Sequence, residues 1–164
     1  MSRRSLEISP FGWTAYVIAA AVIVLDQASK FWILQVFRLP ARTPVQVTPF
    51  FDLTMVWNRG VSFGLFRAEM DLARWGLAVF SILVAGAFAW WVRDTRRLLP
   101  AAAFGLAIGG ALGNVIDRIR FGAVADFLDF SGLYFPWVFN LADSAITVGM
   151  ALVLLDTLVA PKKS

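Results

Sequence analysis

The sequence predicts a mostly α, polytopic membrane protein: four transmembrane helices with a small extracytoplasmic β-sheet in the first outer loop. Composition is the first observation behind this, with 59% hydrophobic residues against 16% charged, an apolar share above that of an ordinary soluble domain. Mean hydropathy is correspondingly high, at +0.71. The second observation is four apolar runs of the length, about 20 residues, that a helix needs to cross the hydrocarbon. The third is a proline-punctuated stretch between the first two runs whose apolar residues fall at every second position.

Taken in order, residues 1–10 are a short polar tail carrying Arg3 and Arg4. Apolar character runs from Phe11 through Leu25 and resumes after Asp26-Gln27-Ala28-Ser29-Lys30 as Phe31 to Phe37, which gives a first span over residues 13–37. Two arginines before an apolar run containing Ala19-Ala20-Ala21 also fit a cleaved secretory signal. The run continues past the point where a cleavage region would start, so an uncleaved helix is expected. Residues 38–71 form an outer loop. Pro40, Pro44 and Pro49 punctuate it, and Val45, Val47, Phe51, Leu53, Met55 and Trp57 keep the even spacing of a half-buried strand. Asn58-Arg59-Gly60 reads as a turn, and Val61 to Phe66 is too short to classify.

The second span covers residues 72–92 and is followed by the tight polar connection Arg93-Asp94-Thr95-Arg96-Arg97. The third covers 98–116, with Gly105, Gly109 and Gly113 at four-residue spacing, a small-residue face that lets another helix come close. A second outer loop, 120–137, holds an alternating piece from Val124 to Phe130 and a turn at Ser131-Gly132. The fourth span covers 138–159 and leads to Pro161 and the basic pair Lys162 and Lys163. A single membrane domain over residues 1–164 is expected.

The formal charge of +4 does not point to nucleic acid, because the cations stand singly or in short segments flanking apolar runs and form no phosphate-binding stripe. Arg3 and Arg4, the 93–97 connection and the Lys162-Lys163 tail fall on one side of a four-span chain, so the positive-inside rule places both termini in the cytoplasm. The first outer loop also carries Arg38, Arg42, Arg59 and Arg67, so the asymmetry is one of density. Cys and His are both absent. Thiolate chemistry, a Ser-His-Asp triad and the commonest metal ligand are thereby excluded, leaving carboxylates, Lys and hydroxyls as catalytic groups.

The stretch from Gly113 to Ser144 places Asn114, Asp117, Arg118, Asp126, Asn140 and Asp143 between or just inside two apolar segments. An ionised group there costs several kcal/mol, roughly 2.5–3.5 on insertion scales, so it needs a partner, a wet cavity or a task. With the predicted topology, Asp26, Lys30, Asn114, Asp117 and Arg118 lie in the outer halves of their spans, and Asn140 and Asp143 open the fourth. Asn114, Asp117 and Arg118 share one helical face, as do Asn140, Asp143, Ser144 and Thr147. Asp26 and Lys30 form an i,i+4 pair that would make its helix insertable, and Asp117 beside Arg118 suits an internal salt bridge. Asp156 lies near the inner end, within reach of headgroups or the basic tail. Asp52, Asp71 and Asp129 read as loop acids. Asp126 and Asp143 have no basic residue within four positions, yet spacing alone does not choose between Asp117 and Asp126 as the partner of Asp143.

Five blocks of this sequence resemble the signature blocks of the lipoprotein signal peptidase (signal peptidase II) family. They are Asp26-Gln27-Ala28-Ser29-Lys30, Asn58-Arg59-Gly60, Gly113-Asn114-Val115-Ile116-Asp117-Arg118, Gly122-Ala123-Val124-Ala125-Asp126-Phe127 and Phe139-Asn140-Leu141-Ala142-Asp143-Ser144. The resemblance implies a bacterial aspartic endopeptidase of the cytoplasmic membrane that removes signal peptides from prolipoproteins before a diacylglyceryl-modified cysteine. It implies Asp126 and Asp143 as the catalytic dyad. Gly113, Asn114, Asp117, Arg118, Asn140 and Ala142 would support the dyad, with Asp26, Lys30, Asn58 and Gly60 in structure or substrate contact. The partners are then a diacylglyceryl-modified prolipoprotein and membrane lipid, the working unit a monomer, and the site lies at the outer face.

The chemistry suits two carboxylates that cannot easily both ionise, one holding a proton while the other activates water, with no metal or cofactor. Arg118 is expected beside Asp117 and not beside the dyad, where a fixed cation would hold both acids ionised. Phe50, Phe51, Trp57 and Phe63 are expected to form an apolar cover on the membrane surface. Two other classes use the same residues. A serine-lysine peptidase would pair Lys30 with Ser29, Ser62 or Ser144, against which Asp26 favours the charged lysine. A proton- or ion-coupled transporter would use the acids as a relay, against which stand the lack of an internal repeat and a polar cluster confined to one face.

Overall fold

A computed structural model describes residues 7–60 and 71–159. The expectations for Arg3 and Arg4, for Val61 to Phe66 with Ser62 and Phe63, for Arg67 and for the Lys162-Lys163 tail lie outside the described residues, as does the side chain of Asp71. Among the described residues, four helices are long and apolar enough to cross a membrane. The order is α1 (Pro10–Phe31), a π-helical continuation (Trp32–Val36), a short 3-10 turn (Leu39–Ala41), β1 (Val45–Thr48), β2 (Phe51–Asn58), α2 (Asp71–Val92), α3 (Leu98–Phe121), β3 (Val124–Asp129), a 3-10 turn (Ser131–Leu133), β4 (Val138–Phe139) and α4 (Leu141–Val159).

Helix α3 is the hub, packing against α1, α2 and α4. Small residues make this possible. A Cβ placed on Gly109 would lie 2.6 Å from Val22 Cβ and 2.7 Å from the Ala19 carbonyl oxygen, so α1 rests directly on the α3 backbone. Ala15, Ala19, Ala85, Val92, Ala101 and Ile108 form the buried centre of this helical core.

Both chain ends of the bundle meet the α2–α3 connection. Ser9 caps α1, accepting from the Gly12 N–H at 2.9 Å, as helix starts favour. Ser9 also donates its own N–H to the Arg93 carbonyl and its hydroxyl to the Thr95 carbonyl at 2.6 Å. At the far end of α4, Asp156 pairs with Arg97. Among the described residues, the counter-ion of Asp156 is supplied by the connection, and the basic tail named as its other expected partner lies outside them.

The first helix starts at Pro10, three residues before the expected 13, and two further boundaries that differ from the sequence reading bear on the site. Helix α3 runs to Phe121, five residues beyond 116, and ends at Gly122 in the left-handed region with φ 76°, a conformation glycine adopts without Cβ strain. Asp117 and Arg118 are therefore helical. Val138 and Phe139 belong to β4 and not to the fourth span.

Contrary to the expectation from sequence, the sheet is not confined to the first loop: the alternating segments of both loops join in one four-stranded antiparallel sheet in the order β1-β2-β3-β4. Its register sets up the site. Leu53 pairs with Leu128, but after an irregularity Val56 pairs with Asp126 and Asn58 with Val124. A side chain two positions along a strand returns to the same face, so the one-residue slip puts Asn58 on the face of Asp126; without it Asn58 would point the other way. The sheet is anchored to the end of α1 by Phe127, which is buried with Ile33 and Leu39.

Candidate active site

The start of α4 is built from a reciprocal cap. Asn140 precedes the helix and its Oδ1 accepts from the Asp143 N–H at 2.9 Å, while Asp143 Oδ2 accepts from the Asn140 N–H at 3.3 Å. This is the capping-box arrangement, each residue satisfying an N–H that the helix leaves unpaired. With its oxygen committed, the Asn140 amide turns its NH₂ the other way. It donates to Asp126 Oδ1 at 2.7 Å and to Asn114 Oδ1 at 3.2 Å.

Asp126 projects from β3 and is 1% exposed. Its second oxygen accepts from Asn58 Nδ2 at 3.0 Å. Asn58 is in turn fixed by the Gly60 N–H, which donates to its Oδ1 at 3.1 Å, so the predicted turn is present and serves to orient the asparagine. Asp143 is partly buried, and its Oδ1 accepts from Asn114 Nδ2 at 2.7 Å. The two carboxylates are thus joined through Asn140 and Asn114, one from a strand and one from a helix start. Burial first, and the nearby charge of Asp143 second, push the Asp126 carboxyl up to about 7, the behaviour of acids that share a site.

Beneath them lies a buried ionic layer. Lys30, 2% exposed, donates to Asp26 Oδ2 at 2.9 Å and to Asn114 Oδ1 at 3.2 Å, and its Nζ lies 2.8 Å from Asp117 Oδ2. Asp117 also accepts from the Ala125 N–H at 3.1 Å, which ties α3 to the strand that carries Asp126. Asp26 Oδ1 accepts from the Ala142 N–H at 3.1 Å, tying α1 to the start of α4. Gly113 is required here because a Cβ would sit 2.7 Å from Asp26 Oδ2 and 3.4 Å from Ala142 Cβ.

The structure therefore brings together Asp26, Lys30, Asn58, Gly60, Gly113, Asn114, Asp117, Asp126, Asn140, Ala142 and Asp143. Arg118 stands differently from expectation. Its Nη1 donates to the Asn114 carbonyl at 3.3 Å. Asp117 pairs with Lys30, which competes better because an ammonium point charge fits between two buried acids.

Gln27 stands in the first family block but has no role in the sequence reading. Its Nε2 donates to Asp117 Oδ1 at 3.0 Å and Asp26 Oδ2 at 3.1 Å, and its Oε1 accepts from Arg120 at 3.1 Å. An uncharged side chain is invisible to a search for intramembrane charge, though an amide inside an apolar run is itself a signal. Asp129 lies apart, accepting from the Thr54 hydroxyl at 2.7 Å and the Ser131 N–H at 2.9 Å. These bonds hold its carboxyl below the usual range, the Thr54 bond most.

Residues 18–159 match the family model described as signal peptidase (SPase) II. The chain belongs to the signal peptidase II family. Lipoprotein signal peptidases from Caulobacter vibrioides and Beijerinckia indica are similar to it. The first is 54% identical over 93% of this chain and 91% of its own, the second 51% identical over 82% and 81%. A solved bacterial membrane enzyme, determined by the in meso method at 2.3 Å, covers 97% of this chain and 98% of its own at TM-score 0.78 and 28% identity. Family and fold agree that this signal peptidase II is a multi-pass membrane protein and a member of an aspartic endopeptidase family. The serine-lysine alternative also meets a geometric obstacle. Lys30 is committed to two carboxylates and an amide, whereas the hydroxyls of Ser29 and Ser144 donate to the carbonyls of Asp26 and Asn140.

Proposed function

We propose that this chain, a lipoprotein signal peptidase, removes signal peptides from diacylglyceryl-modified prolipoproteins by cleaving before the lipidated cysteine, with Asp126 and Asp143 as its catalytic dyad. The observation that carries the reading is the Asp126–Asn140–Asp143 junction, in which one asparagine bonds both acids. Asp126 holds the proton and Asp143, at the helix start, acts as general base on a water that attacks the scissile carbonyl. Asp126 then polarises the carbonyl oxygen, and proton return releases the leaving amine. Asn114 and Asn140 orient the acids, Asn58 orients Asp126, and Asp26, Lys30 and Asp117 lock the three elements that carry them.

The relay reading has less support, because the polar network occupies one end of the bundle and the other end offers the Arg97–Asp156 pair. Purified protein given a diacylglyceryl-modified precursor and its unmodified twin should cleave only the former, with the product mass placing the cut before the cysteine. Cleavage of both at equal rates would remove the lipid from the specificity.

We further propose one membrane domain acting as a monomer in the bacterial cytoplasmic membrane, both termini cytoplasmic and the dyad at the outer face. The contacts of Ser9 and Asp156 with the 93–97 connection support a common side for both ends, and the dense arginines there favour the cytoplasm. In intact cells, an impermeant thiol reagent should label a cysteine introduced at Tyr134 and spare one at Thr95. The absence of native cysteine makes the readout clean. Labelling of the Thr95 position from outside would reverse the orientation.

A further inference from the structure

Resting on the dyad reading above, we propose that Lys30 is a positioning residue whose ammonium sets the rotation of the Asn114 amide, so that Asn114 always presents N–H to Asp143. The argument is an inventory of donors and acceptors. An ammonium has three donors and no acceptor capacity. Lys30 has three oxygen partners, Asp26 Oδ2, Asp117 Oδ2 and Asn114 Oδ1. A primary amide has an oxygen end and an NH₂ end, and the end that meets Lys30 must be oxygen. The NH₂ of Asn114 is then left for Asp143 Oδ1, at 2.7 Å.

The Asn140 amide obeys the same logic with a different lock. The Asp143 backbone N–H, a donor that cannot reverse, holds its oxygen and sends its NH₂ to Asp126. Each acid of the dyad thus receives an N–H from an asparagine whose direction is fixed by a group that can only donate. Lys30 does more on this account than neutralise its helical neighbour Asp26. Asn114 Oδ1 also accepts from Asn140 Nδ2 at 3.2 Å, so Lys30 is one of two donors on that oxygen. Without its charge-assisted bond the orientation rests on one neutral amide, and a turn of the Asn114 oxygen toward Asp143 puts two acceptors face to face and removes a bond that holds the base in place.

Charge balance and amide orientation are separated by a charge-matched pair of variants. Lys30→Met alone leaves Asp26 and Asp117 without their cation, and a loss of folded yield would follow on either account. Asp26→Asn together with Lys30→Met removes one charge of each sign and so preserves the formal charge of the cluster. The double variant is expected to recover folded yield and to keep KM for the lipidated precursor within about threefold, while kcat stays about 100-fold below the parent, the scale of losing one preorganised donor. Lys30→Arg, which also donates without accepting, should turn over at least tenfold faster than the double variant.

Asn114→Asp supplies the second arm. It keeps the side-chain shape, leaves Lys30 a partner and places oxygen against Asp143, so its kcat should fall as far as that of the double variant with the protein folded. Turnover of Asp26→Asn/Lys30→Met within threefold of the parent would overturn the proposal and reduce Lys30 to a counter-ion. The dyad reading is judged separately, by substitution of Asp126 and Asp143.

Discussion

Asp126→Asn and Asp143→Asn are each expected to abolish cleavage, with kcat at least about 1000-fold below the parent, while membrane insertion and binding of the lipidated precursor are retained. Asn keeps the shape of Asp and removes the exchangeable proton. It also adds a donor where the parent has an acceptor, and at position 126 both carboxylate oxygens already face amide NH₂ groups. One of those bonds must therefore be lost, so a modest fall in stability should accompany the loss of turnover. The double variant should be scarcely slower than either single one, since acid and base act as a unit. Asp129→Asn should retain activity, because its oxygens serve Thr54 and Ser131 at the far end of β3. Asp117→Asn should cost stability as well as activity: its two oxygens face the Gln27 NH₂, the Ala125 N–H and the Lys30 ammonium, and an amide there must turn its own NH₂ on one of these buried donors. Single-turnover assays on detergent-purified, folded variants measure all of these. A rate near that of the parent in Asp126→Asn or Asp143→Asn would end the dyad reading.

The four spans were legible because about 20 consecutive apolar residues have few other uses, and the sheet because period-two alternation survives in the loops after the first and third spans. What could not be read was that the two alternating pieces join. That depends on β2 pairing with β3 across 68 residues between Asn58 and Asp126, and no local pattern encodes a partner so distant. The irregularity between Leu53 and Val56 that turns Asn58 toward Asp126 is equally silent in the sequence. Helix α3 was read short because polar Asp117 and Arg118 look like the end of a span. They stay helical because Lys30 and Gln27 on α1 satisfy Asp117 from the side.

Among the site residues, intramembrane polarity draws attention to Asp26, Lys30, Asn114, Asp117, Asp126, Asn140 and Asp143, whereas the roles of the asparagines come from the resemblance to the family blocks. Their function rests on which end of each amide points where, a property of three dimensions. Spacing left Asp117 and Asp126 equal as partners of Asp143. In the structure Asp117 is ion-paired with Lys30, whereas Asp126 accepts from the Asn58 and Asn140 amides. Arg118 was placed beside Asp117 from adjacency in sequence. Consecutive residues on a helix point about 100° apart, so neighbours in sequence do not face each other.

The activity profile should break on its basic side near neutral pH. Asp126 lies in β3, outside the spans, and its carboxyl is raised from 3.8 to about 7, by burial first and by Asp143 second, against the lowering effect of bonds from Asn58 and Asn140. As the proton-holding partner it works only while protonated, so kcat/KM should fall about tenfold per pH unit above that value. The limits of the resulting bell belong to the coupled pair. Asn58→Ala removes one of the lowering bonds, so its basic limb should move to higher pH even as its overall rate drops. The same proton governs stability with a definite sign. The folded value lies above the unfolded one, so the folded state binds more protons between them, and stability is lost as pH rises from about 4 through about 7. In Asp126→Asn that group cannot titrate, and its melting temperature in detergent should lose this part of the slope. A parent profile flat from about pH 6 to about pH 9, with chemistry limiting, would show that Asp126 does not hold the working proton. A basic limb left in place by Asn58→Ala would show that the hydrogen bond from β2 does not reach the carboxyl that titrates.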